Sequence, residues 1–117
     1  MILIVDDDPV FLGAAIAALA GESDRVLAAS GSSRALELIK QIGPVISLVM
    51  IDLSLGSDSG FELIQAVKAV DGELPIIAFS GVSSRSTLES ATAFGAATVL
   101  RKPIGPDWFE AIARVRR

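Results

Sequence analysis

Seven residues, Val45-Ile46-Ser47-Leu48-Val49-Met50-Ile51, run without a charge into a single carboxylate, Asp52. A run this apolar suits a strand covered on both faces, as in a parallel sheet. Ligands of open α/β sheets bind outside the C-terminal strand ends, which is where Asp52 falls. The residues that follow, Leu53 to Gly60, are small and turn-prone and leave room above the carboxylate.

The rest of the chain repeats the same unit. Met1 to Val5 reads as a strand ended by Asp6-Asp7-Asp8. Asp8-Pro9 reads as an N-cap followed by proline at the first helical position. The helix carries Val10, Phe11, Ala14, Ala17, Ala18 and Ala20 as its packing residues, and Gly21 stops it. Arg25 to Ala29 is a second strand. Ser30-Gly31-Ser32-Ser33 leads into a helix with Ala35, Leu36, Leu38 and Ile39 inward, ended by Gly43-Pro44. After the third strand, Val45 to Ile51, Ser59-x-x-Glu62 has capping-box spacing. Its helix places Phe61, Leu63, Ile64, Val67 and Val70 at helical intervals and closes at Gly72. Leu74 to Phe79 is the fourth strand. Ser86-x-x-Glu89 is a second capping-box match, leading a helix to Gly95. Ala96 to Leu100 is the fifth strand, and Pro106 opens a last helix with Trp108, Phe109, Ile112 and Val115 as its stripe.

Strands alternating with helices imply right-handed crossovers and a parallel sheet with helices on both faces. Five units are too few for an eight-stranded barrel. The expected fold is a doubly wound, flavodoxin-like (βα)5 domain with strand order 2-1-3-4-5, over residues 1–117 as a single domain without an output domain. The composition, 51% apolar, supports a compact core. Without cysteine, disulfides and thiolate metal sites are excluded; without histidine, the commonest general base is missing. The net charge of −4 argues against nucleic-acid binding, and no apolar run reaches membrane-spanning length. A cytoplasmic location is the expectation.

In this order the reversal point lies between the first and third strands, which gathers Asp6, Asp7 and Asp52. Three close carboxylates repel one another, and a hard divalent cation relieves that repulsion. With so few carboxylates, Mg2+ (or Mn2+) keeping several waters fits better than a Ca2+ cage. Ser80 after the fourth strand and Lys102 after the fifth add a hydroxyl and an ammonium on the far side. Together these groups suit a phosphoryl dianion. The best nucleophile is a carboxylate, whose phosphorylated form is an acyl phosphate. Singly, the same residues are bland. Asp8 is an N-cap, Asp52 could start an Asx-turn, Ser80 is a turn residue and Lys102 a solvated charge. Asp58 reads as solvated or capping. Arg114, Arg116 and Arg117 suit a helix C-terminus.

The segments Ile2 to Pro9, Met50-Ile51-Asp52-Leu53 with Gly60, Pro75 to Gly81, and Gly95-Ala96 leading to Lys102-Pro103 carry a resemblance across essentially the whole chain. It resembles the receiver domain of bacterial two-component response regulators. The resemblance implies that Asp52 accepts phosphate from a phosphohistidine on a sensor histidine kinase or phosphotransfer protein. It implies Mg2+ ligation by Asp7, Asp52 and the Ser54 carbonyl, with Asp6 acting through water. Lys102 and Ser80 would contact the phosphoryl oxygens, as would the backbone of Ser54 and Gly81, and the Lys102-Pro103 bond would be cis. A face of the fourth helix, fifth strand and fifth helix would engage a downstream protein, with a phosphorylation-linked homodimer as an open option. The domain would promote its own phosphorylation and dephosphorylation without being an enzyme in the ordinary sense.

Three positions depart from the family pattern. Val99 stands at the switch aromatic, and the chain has no tyrosine. Gly56 stands where proline is common, which loosens the Asp52 loop. Gly81 replaces an alanine and opens the pocket. Two other readings compete. Asp6-Asp7-Asp8-Pro9-Val10 fits the nucleophile pattern of haloacid-dehalogenase phosphatases, with Asp6 attacking, although the acidic pair expected after the lysine is missing. A phosphorylation-independent interaction module with the receiver fold is the other, motivated by Val99.

Overall fold

The computed structural model describes residues 1–21, 25–55, 58–81 and 85–117. Gly56 and the side chain of Asp58, both read from sequence above, lie outside the described residues. The elements in order are β1 (Ile2–Val5), α1 (Pro9–Leu19), β2 (Val26–Ala29), α2 (Ser32–Ile42), a 3-10 turn (Gly43–Val45) and β3 (Leu48–Asp52). There follow β4 (Ser54–Leu55), β5 (Asp58–Ser59), α3 (Gly60–Val70), β6 (Ile76–Ser80), α4 (Arg85–Phe94), β7 (Thr98–Arg101) and α5 (Pro106–Val115). Five strands form one sheet in the order β2-β1-β3-β6-β7, with every pairing parallel. This is the expected doubly wound order, because β4 and β5 stand apart as a small antiparallel hairpin. The sequence reading treated residues 53–60 as loop. The hairpin forms there because Leu55 turns into the core, where it is buried.

Strand residues alternate between two cores, as a two-residue side-chain period requires. Leu3, Val5, Val49, Ile51, Ile76 and Ala78 face α2, α3 and α4. Ile2, Ile4, Leu48, Met50, Ile77 and Phe79 face α1 and α5. Each such side chain contributes roughly 1.5–3 kcal/mol on full burial, so register is fixed on both faces.

Several boundaries and faces differ from the sequence reading. The third strand begins at Leu48, not Val45, because the 3-10 turn Gly43–Val45 takes up Val45 and leaves it exposed. In α1 the buried residues are Leu12, Ala15 and Leu19; Val10 and Ala14, Ala17 and Ala18 face outward. Phe109 and Val70 are likewise exposed, and Ala111 takes the inward place on α5. Ser86 lies within α4, which begins at Arg85. Arg85 pairs with Glu89 across one exposed turn. Helices α1 and α3 end at Leu19 and Val70, ahead of Gly21 and Gly72. Gly95 does end α4 and has a φ of 123°, a left-handed conformation that suits glycine.

Candidate functional site

Val5 of β1 pairs in register with Ile51 of β3, so the next residues, Asp6 and Asp52, emerge side by side at the C-terminal edge. Both side chains are buried. Asp7 is exposed beside them, and the three can each bring one carboxylate oxygen within 4.8 Å of the others. Local backbone holds them in place. The Asp8 N–H donates to Asp6 Oδ1 at 2.9 Å, and Asp8 in turn caps α1 by accepting from the Val10 N–H. The Ser54 N–H donates to Asp52 Oδ1 at 3.0 Å. Leu53 N–H donates to the Phe79 carbonyl, tying the segment after Asp52 to β6.

Lys102 follows β7, and its N–H donates to the Ser80 carbonyl. The Lys102-Pro103 bond is cis, as the resemblance implied. Its ammonium lies 2.8 Å from Asp6 Oδ2 and 3.3 Å from Asp52 Oδ2. The sequence reading set this lysine across from the acids; it lies directly between two of them. Burial pushes the Asp52 carboxyl above its ordinary 3.8, and the Asp6 charge adds to this, while the Ser54 N–H and Lys102 work the other way. For Lys102 burial opposes the charge, but the Asp6 contact and the charges of Asp52 and Asp6 outweigh it and raise the ammonium above 10.5. Ser80 is buried at the end of β6, and Gly81 is exposed beside it.

Two residues matter here to which the sequence reading gave no role at the site. Gly60 opens α3 against the site: a Cβ there would collide with the Asp52 carbonyl oxygen and lie 2.6 Å from Leu53 Cα. Its absence of a side chain lets α3 start directly beneath Asp52. Sequence contained the hint, a glycine at the first position of a helix, where a better helix former is usual. The other is Phe11, whose ring centroid lies 4.3 Å from the Lys102 ammonium.

Comparison with known proteins agrees with this geometry. The profile of the response regulator receiver domain matches residues 2–114. This chain belongs to the response regulator receiver domain family. The receiver is 32% identical over 109 residues to the two-component response regulator PprB of Pseudomonas aeruginosa, covering 91% of this chain and 39% of that one. It is 30% identical over 115 residues to the DNA-binding response regulator MtrA of Mycolicibacterium smegmatis, covering 98% and 48%. The receiver thus spans about half or less of the length of these relatives. Among solved structures, the CheY-like receiver domain protein of Methanospirillum hungatei superposes with a TM-score of 0.87 at 27% identity, covering 97% of this chain and 90% of that one. A Burkholderia pseudomallei response regulator, solved with a phosphorylated aspartic acid, calcium ion and citrate, gives 0.84 at 29% identity, covering 94% and 64%. Family membership decides for the receiver reading over the haloacid-dehalogenase one.

On this receiver Val99 packs, half-buried, against the core shared by α2, α3 and α4. On that side Phe61 meets Phe94 at 5.5 Å, and three further aromatic residues sit on the other face of the sheet. Phe11, Phe79 and Trp108 contact one another there, with centroids 5.2 to 6.0 Å apart. Among the described residues no helix is long and apolar enough to cross a membrane.

Proposed function

We propose that Asp52 is the phosphoacceptor of a signalling switch charged by a phosphohistidine of a sensor kinase or phosphotransfer protein. The observation that carries this is Asp52 flanked by Asp6, Asp7 and the Lys102 ammonium at the C-terminal edge of the sheet. A carboxylate oxygen of Asp52 attacks phosphorus and forms the new P–O bond. The P–N bond to the donor imidazole breaks, and its electron pair stays with the imidazole. Lys102 pairs with the phosphoryl oxygens as their charge is redistributed, the Ser80 hydroxyl turns toward them, and the Ser54 and Gly81 N–H groups face them.

The donor set fits a hard divalent cation. Three carboxylates approach one another, and the Lys102 ammonium, 2.8 Å from Asp6 Oδ2 and 3.3 Å from Asp52 Oδ2, sets a single positive charge against them. Asp7, Asp52 and the Ser54 carbonyl would hold Mg2+ or Mn2+, with Asp6 acting through water. When bound, the cation supplies charge neutralisation for the acyl phosphate and the incoming dianion.

Output through the face of α4, β7 and α5, and a phosphorylation-linked homodimer, belong to the same proposal. Phosphorylation shifts partner affinity only through different interactions in the two states. The test is an amide NMR titration with Mg2+ and beryllofluoride, alongside acetyl phosphate labelling followed by intact mass. Wild type should show shifted resonances around residues 52–60 and 80–102 and a labelled species. Asp52→Asn should show neither. An unchanged wild-type spectrum at saturating mimic would leave the phosphorylation-independent module in its place.

A further inference from the structure

The Lys102 ammonium rests on an aromatic floor that the acids alone do not explain. Its centroid distances are 4.3 Å to Phe11 and 5.6 Å to Phe79. Both fall within the range of cation–π attraction, in which a cation is drawn to the negative face of the ring. Lys102 is mostly removed from water, with 24% of its side chain exposed. A charge that loses water needs other partners. Asp6 and Asp52 supply them from the sides, and Phe11 supplies one beneath.

The Phe11 ring is itself fixed. It stacks on Phe79 at 5.3 Å with an interplanar angle of 26°, and meets Trp108 at 6.0 Å. Trp108 is anchored in turn by Nε1–H donating to the Arg101 carbonyl at 3.0 Å, one residue before Lys102. The helix that carries Phe11 is tied to the acids as well, because Asp8 both caps α1 and donates its N–H to Asp6. Ring, acid and lysine are thus set by one short, connected piece of structure.

We propose that Phe11 is a positioning residue of the phosphoryl site: its ring face holds the Lys102 ammonium at the edge between Asp6 and Asp52, ready to turn from one to the phosphoryl group on the other. The proposal rests on Asp52 being the phosphoacceptor. A leucine at this position would fill similar space but offer no negative face. The ammonium would then be held by the carboxylates alone, closest to Asp6, and would transfer less readily to a phosphoryl group.

The test is a double-mutant cycle of Phe11→Leu and Lys102→Ala, with Phe11→Tyr as the conservative variant that keeps a ring face. Two readouts are taken on the full chain: beryllofluoride affinity with Mg2+ by NMR titration, and the urea midpoint in EDTA by circular dichroism. Phe11→Leu should weaken beryllofluoride binding about three- to tenfold. In the Lys102→Ala background the same change should have less than about a twofold effect, and Phe11→Tyr should stay within about twofold of wild type. The EDTA midpoints should show the same coupling, with Phe11→Leu lowering stability more when Lys102 is present. Equal losses in both backgrounds by both readouts would reduce Phe11 to packing and overturn the proposal. So would Phe11→Tyr behaving like Phe11→Leu. Should wild type itself ignore beryllofluoride, the phosphoacceptor reading fails, while the EDTA cycle still judges the Phe11–Lys102 contact.

Discussion

Gly60 and Asp52 show how tightly single residues constrain this receiver. A Cβ on Gly60 meets backbone on both Asp52 and Leu53, and backbone cannot step aside as a flexible side chain can. Gly60→Ala should therefore destabilise the fold by about 2 kcal/mol or more, despite alanine's better helix propensity, measured by urea unfolding. Asp52 carries the opposite tension. Its folded-state carboxyl titrates above the unfolded value because it is buried and faces Asp6. The folded state thus binds its proton more tightly, and stability is lost as pH rises from about 3.8 through the folded-state value. In EDTA, Asp52→Asn should melt higher than wild type at neutral pH, and the two curves should converge at acid pH. Melts at a series of pH values read this directly; a variant less stable than wild type at pH 7 would contradict it. A residue whose charge costs stability is in keeping with a functional site. Its place at the C-terminal edge of the sheet was legible in sequence because an isolated acid after an apolar strand has few structural uses. The pairing of Lys102 with Asp6 was not, because strand-end order does not say how far a lysine side chain reaches.

Helices differ in how much of their placement a sequence discloses. α2 alternates charge and apolar residues, so Ala35, Leu38 and Ile39 were identifiable as its buried side. α1 has no charged residue from Pro9 to Leu19, and a helix apolar all round gives periodicity nothing to choose between. Its inward face, Leu12, Ala15 and Leu19, is fixed by packing instead. Its start was unambiguous, since Asp8-Pro9 combines a cap with a proline that needs no N–H donor. Asp8→Ala should lower stability by about 1 kcal/mol. Because the Asp8 N–H holds Asp6, any change in backbone there should also perturb the Asp6 amide environment in NMR spectra. Strand starts were harder to place than strand ends. The C-terminal edge is marked by acids and hydroxyls, whereas Val45 to Ser47 resemble strand residues, and Val45 instead closes the 3-10 turn.

At the scale of the whole molecule, the two edges of the sheet are treated differently. The C-terminal edge holds the site. The opposite edge is stapled by Arg117, whose N–H donates to the Ser47 carbonyl and whose guanidinium donates to the carbonyls of Ile46 and Gly43 and to Asp71. The sequence reading gave this arginine to a helix C-terminus, yet α5 ends at Val115. The staple joins α5 to the connections before β3 and β6, contacts too distant in sequence for spacing to disclose. Arg117→Ala should cost about 1–2 kcal/mol in urea unfolding. Salt should change that cost little, because most of the bonds are to carbonyls, and Asp71→Asn should cost less. That the sheet is parallel with helices on both faces, by contrast, was readable from the alternation of elements, and the strand order 2-1-3-4-5 followed once the flavodoxin-like pattern was adopted. The chain holds one tryptophan and no tyrosine, and Trp108 is fully buried against Phe79, 5.2 Å away. Nearly all ultraviolet emission therefore originates from one indole, two ring contacts from the lysine of the site. If the proposed site takes a cation and a phosphoryl group, unlabelled protein in a stopped-flow fluorimeter should report their arrival in real time, with no dye to disturb the α1 surface.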